Sequence, residues 1–243
     1  MFMKWLLLRG LGRHIDHWGK FAEDLSNSSD QVLRLNFPGI EKGHQAQSMS
    51  IADITDELRA EFLKSRTQGD DWSICAISLG GMVAIDWAHR YPQDFKNIVT
   101  INSSATGASK FYQRLRPYAI KTFIELMFEK DIRKREKKIL ELTTNMIQID
   151  EKRLDWSEEI ARKYSLEKKL VLKQLTAAAK FRLPGHLNIP LFVLASKHDR
   201  LASSQCSKNI AKHFHAPYIE HPNAGHDLPL DDPQWVLNKL ENV

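Results

Sequence analysis

At residues 74–84 the chain reads Ile74-Cys75-Ala76-Ile77-Ser78-Leu79-Gly80-Gly81-Met82-Val83-Ala84, an apolar run that meets one serine and then two glycines. The apolar part predicts a buried strand, and the part after the serine predicts a helix. Ala76 and Gly80 flank Ser78 two positions away on either side, which is the spacing of a sharp strand-to-helix turn with an exposed hydroxyl. A serine before Gly-Gly is also common in ordinary turns and helix caps. The rest of the chain discriminates between these two interpretations.

Two later loops carry the groups that a serine nucleophile requires, a base and a carboxylate that orients the base. The apolar segment 190–195 is followed by Asp199, and the short predicted strand 216–220 is followed by His226. Each of the three residues therefore comes just after a predicted strand, at the edge where open α/β sheets collect catalytic groups. We predict that Ser78 is the nucleophile, that His226 is its base and that Asp199 orients His226.

Other histidines compete with this interpretation. His198 lies on the loop of the predicted acid, and His221 falls within the predicted last strand, so neither replaces His226 easily. His14 and His17 are three residues apart and could be mistaken for a metal site, but no third ligand with suitable spacing completes one. We expect capping and surface roles for this pair, and no metal.

Strands and helices alternate along most of the chain, as a mostly parallel sheet requires. Strands are predicted at residues 3–8, 32–36, 72–77, 97–102, 190–195 and 216–220, and helices at 18–26, 50–65, 79–91, 204–214 and 233–240. Between Ala105 and about Pro184 the alternation stops and several helices follow one another. We expect these helices to form a cap over the carboxyl edge of the sheet, above Ser78.

These motifs together resemble the α/β-hydrolase superfamily over nearly the whole chain. The elbow around Ser78 is similar to the G-x-S-x-G motif, with Ala76 in place of the first glycine. The segment from Gly225 to Pro233 is similar to the G-H-x(6)-P ending of the family, and Gly10 followed by Trp18 is similar to its H-G-x(7)-W segment. Two positions depart from the family pattern: Arg9 stands where the family usually has His, and Asn36 stands where it usually has Asp.

The resemblance implies an α/β fold with a mostly parallel central sheet flanked by helices. It implies a core formed by residues 1–104 and 186–243 and an inserted helical cap at 105–185. It further implies that the backbone N–H groups of Leu11 and Leu79 form the oxyanion hole. No cofactor is expected.

Size and composition agree with a single α/β unit. The chain has 243 residues, of which 42% are apolar, and this is enough to bury a large core. The opening apolar run breaks at Arg9-Gly10 and predicts a first core strand rather than a signal peptide. No segment has the length of a membrane helix, and the two cysteines, Cys75 and Cys206, are interpreted as reduced packing residues. We expect a cytoplasmic protein.

The predicted cap holds most of the excess positive charge. Between Lys110 and Arg153 there are 12 Lys/Arg and 7 Asp/Glu residues, an excess that equals the net charge of +5 for the whole chain. Such a run is typical of a solvated helix face with i,i+4 ion pairs. The alternative is a docking surface for an acidic acyl-carrier protein, a CoA phosphate or an anionic lipid surface. Nucleic acid is not expected, because no recognised binding motif accompanies the charge. The basic residues concerned are Arg133, Lys134, Arg135, Lys137 and Lys138.

Aromatic and apolar side chains also recur in the predicted cap, and they have two interpretations. They are typical of ordinary helix packing, and some of them would line an acyl pocket if the cap covers Ser78. The residues are Phe111, Tyr112, Tyr118, Phe123, Met127 and Phe128.

The sequence therefore predicts a serine hydrolase that cleaves small carboxylic esters through an acyl-enzyme. One alternative is an ester or thioester hydrolase for acyl groups carried by acyl-carrier protein or CoA, similar to pimeloyl-acyl-carrier-protein methyl esterase. Cofactor-free haloperoxidases and C–C hydrolases share the scaffold. A non-catalytic ligand-binding protein on a hydrolase scaffold is the alternative of another class.

Overall fold

The computed structural model describes residues 3–40, 49–67, 71–164, 166–241 and 243. Its centre is one parallel sheet of six strands in the order β2-β1-β3-β4-β5-β6. The strands are β1 (Lys4–Leu8), β2 (Gln31–Leu35), β3 (Trp72–Ile77), β4 (Asn97–Ile101), β5 (Leu191–Ser196) and β6 (Tyr218–His221). The predicted parallel α/β sheet is confirmed.

Helices lie between the strands in the chain and after the last strand. Those that accompany the sheet are α1 (Gly19–Ser28), α2 (Ile51–Ser65), α3 (Leu79–Arg90), α9 (Ser204–Phe214), α10 (Leu228–Asp231) and α11 (Pro233–Leu240), with short 3₁₀ turns at Ile15–Trp18 and Pro92–Asp94. Five more helices follow one another between β4 and β5: α4 (Phe111–Arg114), α5 (Pro117–Phe128), α6 (Ile132–Thr143), α7 (Glu151–Lys163) and α8 (Lys168–Lys180). We call α4–α8 the inserted helices.

The sheet is buried on both faces because successive side chains of a strand point to opposite sides. In β1, Leu6 and Leu8 belong to an apolar cluster with α2 and α3, whereas Trp5 and Leu7 belong to a second cluster with α1 and α11. All six residues of β3 are buried. This central strand is therefore held rigidly between β1 and β4, and so is the residue that follows it.

Element ends differ from the sequence prediction by one or two residues. The last strand begins at Tyr218 rather than at residue 216, and α1 continues to Ser28, whose hydroxyl donates to the Leu25 carbonyl. The prediction also placed Asn102 inside β4, but the strand ends at Ile101 because Asn102 has a positive φ of 49°. The division into a core and a cap at 104/105 and 185/186 stays a prediction.

Both cysteines are buried free thiols, Cys75 in β3 and Cys206 in α9. Burial raises the pKa of each thiol, so both stay protonated at neutral pH. Across the described residues, none of the helices combines the length and the apolarity that crossing a bilayer requires.

Candidate active site

Ser78 occupies the single residue between β3 and α3, in a conformation that non-glycine residues rarely adopt (φ 57°, ψ −116°). Three hydrogen bonds hold this backbone in place. Its N–H donates to the Ile101 carbonyl at 2.8 Å, and its carbonyl accepts from the Gly81 N–H at 3.1 Å and from the Ser103 hydroxyl at 3.0 Å. Strain of this kind persists only where the surroundings over-determine it. The elbow expected from the sequence is therefore present and tightly fixed.

The small residues around the elbow are required by close approach of the backbone. A Cβ on Gly80 would lie 2.5 Å from the Leu8 carbonyl oxygen and 2.6 Å from that of Arg9. A Cβ on Gly10 would lie 3.2 Å from the Ser78 Cβ. The loop after β1 thus runs directly beside the serine. Leu79 is the first residue of α3, and its N–H has no acceptor within the helix.

Asp199 and His226 form a buried pair behind this elbow. The His226 Nδ1 lies 2.6 Å from the Asp199 Oδ2. The other carboxylate oxygen, Oδ1, accepts from the N–H groups of Leu201 at 2.7 Å and Ala202 at 2.9 Å. Both side chains are almost completely buried. The Asp199 carboxylate is fixed through both of its oxygens. It orients the His226 imidazole so that the ring's Nε2 lies on the side away from Asp199.

Opposing influences act on the pKa of His226. Burial would lower it, whereas the charge of Asp199 and its hydrogen bond raise it, with a smaller contribution from Asp227. The net effect raises the pKa of His226 above its ordinary value of 6.5. This stabilises the protonated ring, which a general base must form during the reaction.

A cavity of about 760 Å³ lies between the carboxyl edge of the sheet and the inserted helices. Ser78, His226, Leu11 and Leu79 all line it. Its remaining wall is mainly apolar and comes largely from α5, α6 and α8, including Ile120, Phe123, Leu126, Ile139, Leu142, Val171 and Leu175. The structure thus brings four of the five predicted site residues to one cavity, with Asp199 behind His226.

The rival histidines have other contacts. The His221 Nδ1 accepts from the N–H groups of Asn223 at 3.1 Å and Ala224 at 2.9 Å, while its Nε2 faces the Asp232 carboxylate at 3.3 Å. This ring therefore caps the turn that leads to His226. His198 is exposed.

His14 and His17 cap the 3₁₀ turn, as expected, but the expected surface position is wrong. Both rings are buried, His14 stacked on Tyr164 with ring centroids 3.4 Å apart and His17 edge-on to Trp156. The His14 Nδ1 accepts from the Asp16 N–H at 3.1 Å, and the His17 Nδ1 accepts from the His14 N–H at the same distance. The inserted helices cover this turn, which sequence alone does not reveal.

Arg9 and Asp227 form a buried contact that sequence reasoning missed. The guanidinium binds the Asp227 carboxylate through two hydrogen bonds of 3.0 and 2.5 Å and lies over the Trp18 ring. Asp227 directly follows His226, so the pair connects the loop beside the serine to the loop of the base. The departure from the family pattern at position 9 was the available signal.

Asn102 is a second missed residue. Its side chain donates to the carbonyl of His226 at 2.8 Å and to the Ser196 hydroxyl at 3.0 Å, and its Oδ1 accepts from the Ser196 N–H at 2.8 Å. It therefore attaches the His226 loop to β5. An asparagine after a strand is an ordinary loop residue in sequence, and nothing in the pattern distinguished it.

Asp231 is a third functional residue that sequence reasoning missed. Its carboxylate accepts from the N–H groups of Asn145 and Met146 after α6 and, at 2.6 Å, from that of Gly225 before His226. The segment after α6 and the His226 loop thus share one carboxylate.

The basic run on α6 is largely ion-paired within the protein. Arg133 contacts Glu151, Asp155 and Glu158 of α7, and Lys138 contacts Glu125 of α5 at 3.0 Å. Arg135 and Lys137 each have a carboxylate at 4.0 Å. This arrangement favours the interpretation of a solvated, ion-paired helix face over a docking surface at α6.

Comparison with solved structures finds the same fold. A bacterial membrane phospholipase A superposes with a TM-score of 0.79 at 16% identity, covering 99% of this chain and 78% of that chain. The enol-lactonase of Burkholderia xenovorans LB400 gives 0.75 at 16%, covering 100% and 91%. The 2-hydroxy-6-oxo-6-phenylhexa-2,4-dienoate hydrolase of Rhodococcus sp. strain RHA1 gives 0.75 at 17%, covering 99% and 90%. At such identities the likeness concerns the fold alone.

The family model described as serine aminopeptidase, S33 matches residues 4–233, which is nearly the whole chain and includes both the elbow and the two loops behind it. The chain therefore belongs to this family of α/β-hydrolases and is a hydrolase.

Proposed function

We propose that the protein hydrolyses carboxylic esters with an apolar acyl group, using Ser78, His226 and Asp199 as its catalytic groups. The observation that carries the proposal is the pairing of a strained, half-buried serine that lines the cavity with a buried His226–Asp199 hydrogen bond of 2.6 Å at the same cavity. Together, the serine and the oriented histidine provide the nucleophile and the base that nucleophilic catalysis needs.

In the proposed reaction the Ser78 hydroxyl attacks the ester carbonyl while His226 Nε2 takes its proton. The oxygen of the tetrahedral intermediate is bound by the N–H groups of Leu11 and Leu79, which would contribute about 10²–10³ to the rate for each effective donor. The protonated ring then gives its proton to the leaving alcohol, and an acyl-enzyme remains. Water, deprotonated by the same ring, releases the acid and restores Ser78.

The cavity supports an apolar acyl group as the recognised part of the substrate. Its volume lies within the range of about 300–1,000 Å³ that is usual for small-molecule sites, and aliphatic and aromatic side chains form most of its wall. A long acyl chain would displace water from this wall, and the gain is about 0.8 kcal/mol for each buried methylene group.

Cleavage of amino-terminal peptide bonds, which the family description suggests, has less support. An aminopeptidase needs an unpaired carboxylate for the free amino group of its substrate. Among the described residues that line the cavity, the carboxylates are Glu136 and Asp227, and both are already bound to arginines, to Arg13 at 2.7 Å and to Arg9 at 2.5 Å. An acyl-carrier or CoA substrate also has less support, because the basic run on α6 is ion-paired.

The test is hydrolysis of p-nitrophenyl esters from acetate to palmitate, together with labelling by a fluorophosphonate probe. We expect turnover that favours the longer acyl chains and labelling of one serine. Ser78→Ala should remain folded, lose the label and lose about 10⁶ in kcat. Ser26→Ala, on α1, is the control and should behave as the wild type.

Two results would contradict the proposal. Labelling of Ser78→Ala at the wild-type rate would exclude this serine as the nucleophile. Negligible turnover of the whole series by the folded wild type would favour the alternative of a non-catalytic binding protein.

A further inference from the structure

Helix α5 is apolar, yet the protein hardly covers it. Its sequence is PYAIKTFIELMF, and Ala119 and Thr122 are its buried residues. Phe128 is 79% exposed, and Phe111 on the neighbouring α4 is 68% exposed. Tyr112, Tyr118, Ile124 and Met127 are exposed as well. Sequence reasoning expected such side chains to pack within the cap or line a pocket. A contiguous exposed apolar face on a folded protein marks a surface that contacts something else.

This exposed face is continuous with the wall of the cavity. Phe111, Ile124 and Met127 are exposed and also line the cavity, and so does Leu172 of α8. Side chains that do both lie at its mouth. The Lys168 ammonium of α8 donates to the Met127 carbonyl at the end of α5 and joins the two sides of this mouth. An apolar path therefore leads from the exposed face to Ser78.

Exposed lysines accompany the apolar groups of this face. Tyr118, Lys121, Ile124 and Phe128 lie at helical spacings that place them along one side of α5, so the cation lies among the apolar groups. Lys110 and Lys130, at the two ends of the α4–α5 segment, are exposed as well, whereas Arg114 and Arg116 donate to the Ala178 and Asp199 carbonyls within the protein. Glu125 of the same segment is bound by Lys138. Aromatic and aliphatic groups interspersed with cations are the chemistry of helices that lie in the plane of an anionic membrane surface.

We propose that α4 and α5 dock on an anionic lipid surface and that the substrate enters the cavity from the lipid phase. The proposal rests on the proposed function for the identity of the site but not for the docking itself. We call the face formed by Phe111, Tyr112, Tyr118, Lys121, Ile124, Met127 and Phe128 the docking face. Docking buries its apolar groups among the acyl chains, and Lys121 and its neighbours contact the phosphate groups.

The test is flotation of the full chain with vesicles of phosphatidylcholine and phosphatidylglycerol, compared with vesicles of phosphatidylcholine alone. The wild type should float with the mixed vesicles and less with the neutral ones, and the difference should shrink as salt rises. Tyr118→Ser/Phe128→Ser removes two docking groups that do not line the cavity. This variant should bind at least about tenfold more weakly. Lys121→Gln/Lys130→Gln should bind about fivefold more weakly for each cation removed.

Matched controls carry the same substitutions elsewhere. Leu63→Ser/Ile219→Ser replaces exposed apolar residues of α2 and β6, and Lys208→Gln/Lys212→Gln replaces exposed lysines of α9. Both should float as the wild type does. The Tyr118→Ser/Phe128→Ser variant should cleave p-nitrophenyl butyrate in solution at the wild-type rate and a long-chain ester embedded in mixed vesicles much more slowly.

Failure of the docking inference and failure of the proposed function are distinguishable. A wild type that cleaves soluble esters but does not float overturns the docking face alone. A wild type that floats but cleaves no ester overturns the proposed function alone, and Ser78→Ala should float normally in either case. A third result is also possible: the wild type is a dimer and does not float, and the Tyr118→Ser/Phe128→Ser substitutions dissociate the dimer. In that case the face is a contact between two copies and the proposal is wrong.

Discussion

At the level of single residues, opposing influences meet at His226. Burial opposes the charged ring, while Asp199 in contact with it and Asp227 next to it favour the charged ring. Arg9 acts in the opposite direction, and its own bond to Asp227 keeps that guanidinium in place. The base of the proposed reaction is therefore tuned by residues on three different loops.

The raised pKa of His226 predicts how activity depends on pH. His226 must be neutral to accept the Ser78 proton, and its pKa is raised above 6.5, so activity should fall as the pH drops through that raised value. The measurement is kcat/KM for a soluble ester against pH, in which we expect a rise with an inflection above 6.5.

Substituting Asp199→Asn should lower kcat by about 10⁴, because the His226 ring then favours the wrong tautomer.

The control for this profile is His198→Gln, because His198 is exposed. That variant should keep both the inflection and the rate. An inflection below 6.5 in the wild type, or its displacement in His198→Gln, would show that His226 is not the group that titrates.

At the level of elements, the turn from β3 into α3 depends on backbone contacts that tolerate no side chain. Gly80 faces the carbonyl oxygens of Leu8, at the end of β1, and Arg9, in the loop after it, and these are backbone atoms that cannot rotate away. The turn and that loop are the two places from which the proposed oxyanion donors, Leu79 and Leu11, come. Their relative position is therefore set by a glycine that is not among the residues lining the cavity.

Gly80→Ala should therefore cost stability and activity together. The added methyl group forces the two backbones apart, and overpacking of this kind costs about 1–3 kcal/mol in the free energy of unfolding. Denaturant unfolding and kcat would both be measured. Gly185→Ala is the matched control, because a Cβ there meets nothing within 4 Å. It should leave both quantities close to the wild type, and equal losses in the two variants would contradict this explanation.

The elements themselves were predictable because their signals are local. The run from Trp72 to Ile77 and the helix after Ser78 are fixed by apolar periodicity and glycine spacing within a dozen residues. The Arg9–Asp227 contact was not predictable, since its partners are 218 residues apart in the chain. The exposure of α5 was also missed, because apolar periodicity shows which side chains share a face but not what covers that face.

At the level of the whole molecule, the inserted helices and the sheet are joined at the site rather than beside it. Gly12 of the loop after β1 donates to the Gln174 side chain of α8 at 2.9 Å, and Arg13 of the same loop binds Glu136 of α6 at 2.7 Å. On the other side of the cavity, Asp231 accepts from N–H groups after α6 and before His226. The loop of the proposed oxyanion donor Leu11 and the loop of the proposed base His226 are therefore both held by the inserted helices and the segment after α6.

Asp231→Ala tests this connection. It leaves the N–H groups of Asn145, Met146 and Gly225 without this acceptor, and the buried N–H of Gly225 alone costs about 1–3 kcal/mol when unpaired. We expect lower stability and a lower kcat for soluble esters, because Gly225 and then His226 lose their support. Asp150→Ala is the control: it removes the N-cap of α7, which accepts from the Arg153 N–H at 2.8 Å, and should cost about 1 kcal/mol without changing kcat. An Asp231→Ala enzyme with unchanged kcat would show that the two loops are independent.

The shared carboxylate of Asp231 also limits how this protein can be recombined. A chimera that takes α4–α8 from another α/β-hydrolase would bring a foreign segment after α6 to a carboxylate that belongs to the recipient. Without matching N–H groups there, the Gly225 turn would lose part of its anchor even though every catalytic residue was kept. Exchange of substrate preference in this chain therefore requires that the segment after α6 and residues 225–231 be transplanted as one unit.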